Sequence, residues 1–253
     1  MIVNSLLKTD NNIFGDKMKD KEMFSLSLDI GEGIIKSGGE VHRAEDTIKR
    51  INSAYGQKCT VFAIPSLIIA QSGKEIQMRR IEREDNNLAE ISRLNALSRR
   101  LCNEAGDEIY VTKSKVYTTK TNLICIAIAT GSFSMFFGGN IADAIISGII
   151  GIIITLIGDK RINLATFTSN LIDSFISSIL ALTSSIIFTN IHSDKIIIGT
   201  IMLFVPGLTV VNAMRDMMSD DLIAGMIELF NAIISAFAIA LGVAGAILLF
   251  TRI

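Results

Sequence analysis

Histidine is nearly absent from this chain: His42 and His192 are the only two in 253 residues. There is no HExxH pair and no Cys/His cluster, which excludes the usual zinc sites. Cysteine is almost as scarce. Cys59, Cys102 and Cys125 are three in number and have no CxxC or other paired spacing. The odd count, with no apolar core for a secretory signal in "MIVNSLLKTDNNIFGDKMKDKEMF", fits a reducing cytosol and three structural thiols. No GxxxxGK[ST] exists, so ATP binding by a P-loop is excluded. No GxSxG and no Ser/His/Asp spacing point to a hydrolase. These absences leave no catalytic residue, metal or cofactor to assign.

Basic charge is missing from half of the chain. Residues 1–120 hold 19 of the 24 Lys and Arg; residues 121–253 hold five, at Lys160, Arg161, Lys195, Arg215 and Arg252. The net charge of −1 conceals this division, whereas a mean hydropathy of +0.47 already exceeds that of ordinary soluble domains. The expected fold is a membrane protein with three parts: a flexible N-terminus over 1–19, a cytosolic α/β domain over 20–118, and an all-α transmembrane domain over 119–253.

What the second half does have is apolar length. A bilayer core about 30 Å thick takes roughly 17–25 helical residues. Five stretches reach or approach that: 121–137, 141–157, 169–189, 196–214 and 222–250. The first two are joined only by Gly138, Gly139 and Asn140, which demands a tight helical hairpin. The fifth is long enough to tilt or to extend beyond the core. With the N-terminal domain in the cytoplasm, the loops place 22 basic residues inside and two outside, as the positive-inside rule requires. The C-terminus then lies outside. Small residues recur at helical spacing, as Ser147-x3-Gly151 and as Ala238-x3-Gly242-x3-Ala246. In lipid such faces allow close backbone approach, within the bundle or between subunits of a homo-oligomer.

Ionisable groups in apolar spans cost roughly 2.5–3.5 kcal/mol each at mid-depth on insertion scales. Asp143 and Asp173 lie near the starts of the second and third spans, and Glu228 with Asn231 about two turns into the fifth. Each reads either as a group on a solute or proton pathway or as a hydrated residue near an interface. Pro206 and Gly207 interrupt the fourth span near its middle. Pro206 lacks an N–H for the Met202 carbonyl. Either the helix is kinked for packing or the break exposes backbone to a solute cavity, a recurring transporter device. In the second case Asn212 and Arg215 face the same lumen, where they meet a carboxylate. An Arg215–Asp216 ion pair is expected to fix the turn into the fifth span.

The first half reads as α/β. Phe24, Leu28 and Ile35 have helical spacing, as do Val41, Ala44, Ile48 and Ile51, and a third helix covers 86–105. Strands are expected at 58–64 and 66–71, separated by Pro65, and at Ile76–Met78 after a Ser72-Gly73-Lys74 turn. His42, Arg43 and Glu45 form the only cluster with chemical capacity. It is either a solvated helix face or, if the three converge in a closed pocket, the site of a membrane-anchored enzyme or sensor. Arg79, Arg80, Arg83, Arg99 and Arg100 are basic without stacking aromatics, so contact with anionic lipid or with the membrane domain fits them better than nucleic acid.

Two strings carry a resemblance. "SGGEVHRAEDTIKRINSAYG", followed by "VFAIPSLIIAQS", resembles the N-terminal domain of the threonine/serine exporter family (ThrE, or YjjP-like). "FFGGNIADAIISGIIG" and "LFVPGLTVVNAMRDMMSDDLIAGMIELFNAIISAFAIALG" resemble its membrane part. The segment 102–120 is shorter than in the family. The resemblance implies a bacterial inner-membrane exporter of threonine and serine, or of a dicarboxylate such as succinate. It also implies a smaller membrane subunit as partner. Carried over by motif, its residues are Gly138, Gly139, Asp143, Pro206, Gly207, Asn212, Arg215, Asp216 and Glu228.

Overall fold

The computed structural model describes residues 20–82, 86–103, 118–158 and 164–252. The expected flexible N-terminus over 1–19, Arg83, Lys160, Arg161 and most of the segment 102–120 lie outside the described residues. The chain divides into two compact units, one of residues 1–115 with 208–230, the other of residues 116–207 with 231–253.

The first unit begins with α1 (Asp20–Lys36) and α2 (Val41–Ala54), continues through β1 (Cys59–Ile64), β2 (Leu67–Ser72) and β3 (Glu75–Arg80), and reaches α3 (Leu88–Asn103). The strands form an antiparallel meander in the order β1-β2-β3. Each hairpin turns on two residues, Ile64 pairing with Leu67 and Ser72 with Glu75. α1 packs against α2, α3, β2 and β3 and is buried on nearly every face from Met23 to Gly31. The apolar spacing alone predicts a single stripe; burial from several sides also takes in Ser25, Ser27 and Asp29. Their polar groups are answered locally. Asn52 Nδ2 donates to Ser27 Oγ at 2.7 Å, and Arg79 reaches Ser25 Oγ at 3.1 Å and Asp29 at 3.6 Å. The core is mostly aliphatic, with Leu28, Ile34, Ile48, Ile68 and Leu101 fully buried beside Phe24.

The same unit contains α8 (Gly207–Met218), apart from its first residue, and the first part of α9 (Leu222–Phe250). Ala224 of α9 joins the aliphatic core.

The second unit holds α4 (Thr119–Phe136), α5 (Ile141–Gly158), α6 (Thr166–Ile187), α7 (Ser193–Ile201) and the remainder of α9. Among the described residues, three helices are long and apolar enough to cross a membrane: α5, α6 and α9. The expected first span corresponds to α4, 18 residues with a polar first turn. The expected fourth span, 196–214, is not one helix. Helix α7 has 9 residues and α8 has 12, with a break over 202–206. Neither reaches the roughly 20 residues a crossing needs. Helix α9 has 29 residues, or about 43 Å at 1.5 Å per residue. Its part in the second unit, 231–250, would span about 30 Å, one bilayer core.

Both helical hairpins turn on the same device. After α1, Gly38 N–H bonds the Ile35 carbonyl and Gly39 N–H the Ile34 carbonyl. After α4, Gly138 bonds Met135 and Gly139 bonds Ser134 in the same pattern. This paired closure places its first glycine in the left-handed region, and Gly38 and Gly138 have φ of 84° and 92°.

The small-residue faces pack within the bundle. A Cβ on Gly242 would sit 2.5 Å from the Leu171 carbonyl oxygen of α6, and Ala238 and Ala246 are fully buried. A Cβ on Gly151 would sit 2.9 Å from Thr130 of α4, while Ser147 Oγ donates to the Thr130 carbonyl at 3.1 Å.

Candidate functional site

Helix α2 starts without a cap of its own: Glu40 occupies the cap position and its side chain bonds no helix N–H. Two of the first N–H groups of a helix are nonetheless answered. Val41 N and His42 N donate to Asp216 Oδ2 and Oδ1 at 3.3 and 3.1 Å. A carboxylate on α8 therefore caps α2 across some 175 positions of sequence.

The surrounding contacts come from the same two strings. Asn212 Nδ2 donates to the Gly38 carbonyl at 2.8 Å. Arg215 Nη1 binds Glu40 Oε1 at 2.6 Å, and Arg43 binds the same oxygen at 3.1 Å. His42 Nδ1 lies 2.7 Å from Asp221 Oδ2, and its Nε2 3.5 Å from Asp46. The "SGGEVHR" and "NAMRDMMSDD" stretches are thus each other's partners. Residues three and four apart share a helix face, so Asn212, Arg215 and Asp216 point the same way. The turn between α8 and α9, with Asp220 at φ 66°, then brings Asp221 to His42.

Asp216 and Glu228 are both buried, at 0% and 1% exposure. Burial pushes the Asp216 carboxyl above the usual carboxylate range. The N–H groups of His42 and Val41 oppose that shift, while the charges of Glu228 and Glu40 add to it. Glu228 sits in the part of α9 that belongs to the first unit.

Several expectations change here. Arg215 pairs with Glu40, in place of the expected Arg215–Asp216 pair. Asn212 and Arg215 face the N-terminus of α2. Pro206 lies outside helix, in the break before α8, where its missing N–H costs no helical bond; Gly207 opens α8. His42, Arg43 and Glu45 do not converge on a pocket. Glu45 turns to the sheet, accepting from Ala63 N at 2.7 Å and Lys49 Nζ at 2.8 Å. A cavity of about 330 Å³ in this unit is lined by Lys21, Phe24, Gln57, Lys58, Ser72, Gly73 and Glu75, none of them an expected site residue. Among the described residues, no group of three or more His, Cys, Asp or Glu is placed to hold a metal ion.

In the second unit Asp143 is fully buried and fully engaged. Asn140 N donates to Asp143 Oδ2, and Asp143 N to Asn140 Oδ1, each at 2.8 Å. This reciprocal cap starts α5. Asp143 Oδ1 also accepts from His192 N at 2.9 Å, and Oδ2 lies 3.0 Å from His192 Nδ1. Asn140 Nδ2 reaches the Asn190 carbonyl at 2.9 Å. The α4–α5 and α6–α7 turns are therefore tied together at one end of this unit. Asp173 is nearly buried, with Ser169 Oγ at 3.3 Å, and Asn170 of α6 bonds Ser235 of α9.

Sequence spacing assigns no role to Asp221 or His192, because their partners His42 and Asp143 lie 179 and 49 positions away. A one-dimensional pattern reports only neighbours within a turn or two.

A comparison with known families was positive for one model. The family model described as "Putative threonine/serine exporter" (ThrE) matches residues 25–250. The chain belongs to this family. The ThrE match covers both strings and every expected site residue. No curated protein and no solved structure matches the chain. ThrE is a transporter family, and the three long apolar helices agree with a membrane protein.

Proposed function

We propose that this ThrE member is the larger subunit of a two-component secondary exporter. Its cargo would be small carboxylate-bearing solutes: threonine and serine, or a dicarboxylate such as succinate. It would work in the bacterial inner membrane with a smaller membrane subunit. The N-terminal unit would face the cytoplasm and the C-terminus the outside. The observation that carries this reading is the family match over nearly the whole chain, joined to three apolar helices of crossing length. The absence of a P-loop motif favours an ion gradient or exchange as the driving force.

Two carboxylates were candidates to carry a proton, Asp143 and Glu228. Both oxygens of Asp143 serve the α5 cap and the His192 turn, so its charge is best read as structural. Glu228 is buried near a second buried carboxylate, Asp216, which leaves it as the carboxylate to test.

The test is efflux of labelled threonine, serine and succinate from loaded cells, with and without the partner subunit and with and without a protonophore. The expected result is partner-dependent efflux of one solute that collapses with the gradient. Glu228→Gln should lower that efflux at least tenfold, about 1.4 kcal/mol in the barrier, at unchanged membrane abundance. Wild-type efflux from E228Q would remove Glu228 from the mechanism. Absence of efflux in every arm, with both chains in the membrane, would overturn the exporter reading for these solutes.

A further inference from the structure

The three-stranded sheet buries one face on α1 and α2 and, among the described residues, leaves the other uncovered. Side chains alternate between faces along a strand, and a solvated face of an antiparallel sheet is normally polar. This one is not. The register aligns Phe62, Ile69 and Met78 in a single row across all three strands. They are 50%, 37% and 63% exposed, and Ile76 beside them is 65% exposed.

The charges around this row are mainly basic. Lys58 and Lys74 share its parity just beyond one end of the sheet; Arg80 lies at the other, with Glu82 two residues beyond it; all four are exposed. No outward-facing position of the described strands carries a carboxylate. Glu75 belongs to the opposite parity and pairs with Lys21 at 3.7 Å.

A second copy of the chain is a poor occupant. Three six-residue strands about 4.8 Å apart offer a face of about 14 by 20 Å. Two such faces bury roughly 600 Å², well below the roughly 1,200 Å² of a specific interface. Stacking them would also set cations against cations. An anionic membrane surface fits both features, since apolar side chains enter the headgroup–acyl boundary while flanking Lys and Arg meet lipid phosphates. The same chain carries helices of bilayer length, so such a surface is always within its tether.

We propose that the outward face of the β1–β3 sheet docks on an anionic bilayer surface. Phe62, Ile69 and Met78 enter the boundary region, and Lys58, Lys74 and Arg80 engage phosphates. The proposal does not rest on the exporter reading and its test involves no transport.

The chain contains no tryptophan, so Phe62→Trp installs a single reporter in the full-length protein. Met78→Trp is a second reporter should the first fail to fold, and Ser53→Trp, on an exposed position of α2, is the reference. Each is reconstituted into phosphatidylcholine vesicles with and without phosphatidylglycerol, using acyl chains brominated or plain. The expected result is blue-shifted emission from F62W that brominated lipid quenches, more so with phosphatidylglycerol. The quenching should weaken in 1 M salt, where the Debye length falls to about 3 Å, and in the K58Q/K74Q/R80Q background. Red emission that bromine leaves unchanged would place the face in water and overturn the proposal. Blue emission without quenching would also overturn it, by showing that a polypeptide covers the sheet.

Discussion

Asp216 concentrates the chemistry of the first unit in one side chain. It caps α2 from a distant helix, is fully buried, and lies in the field of two further carboxylates. Its pKa in the folded state is raised above the unfolded value, about 3.9. Between those two values the folded chain holds a proton that the unfolded chain has lost. Stability is therefore greatest below the unfolded pKa and falls as pH rises through the folded one. Thermal melts of the detergent-solubilised protein across mildly acidic pH should show this decline. Asp216→Asn should flatten it, because the amide does not titrate. An unchanged slope in D216N would assign the pH dependence to other groups. Asp143 makes the complementary point. It too is buried, but three hydrogen-bonding contacts from Asn140 and His192 engage both its oxygens.

At the scale of elements, glycine acts through two separate mechanisms. Gly138 closes α4 with φ of 92°, and a Cβ there meets nothing within 4 Å. Only backbone strain opposes Gly138→Ala, so the expected loss is about 1 kcal/mol. Gly242 lies inside α9, where helix propensity alone favours alanine by about 1 kcal/mol. A Cβ there would meet the backbone of α6 at 2.5 Å. Close-packed helices cannot absorb that without separating. Gly242→Ala is therefore expected to destabilise by about 1–3 kcal/mol, the typical cost of overpacking. Melting temperatures of the two variants side by side check this. A stabilised G242A would show that α6 and α9 are not in contact in the folded protein. The break over 202–206 belongs to the same scale, since it turns what reads as one apolar span into two short helices that belong to different units.

For the whole molecule, the order along the chain differs from the order in space. Residues 208–230 belong with the N-terminal unit, though some ninety residues of the other unit intervene. A fragment of residues 20–115 alone would lack the Asp216 cap, the Asn212 bond to Gly38 and the Ala224 contact in the core. Appending 208–230 through a flexible linker should raise its stability on the order of 2 kcal/mol, one cap and one buried hydrogen bond. Chemical denaturation of the two fragments measures the difference. Equal midpoints would mean that α8 contributes nothing to this unit.

The sequence by itself determined whatever short-range periodicity encodes. Runs of apolar residues become long helices because every backbone group is paired within the helix, and the start and end of α9 match the expected 222–250. Alternation and turn residues place three strands within a residue or two of their observed bounds. The Gly138-Gly139 pair locates the α4–α5 hairpin. Only the tertiary structure decided what the polar residues of those helices do. Asn212 and Arg215 look from spacing alone like lumen-facing groups, Asp216 like the ion-pair partner of Arg215, and Asp143 like a polar group on a pathway through a span. Their partners are Gly38, Glu40, the N–H groups of Val41 and His42, and the His192 turn. A hydrogen bond depends on a few ångströms of space and not on separation along the chain, so no periodicity in one dimension records it.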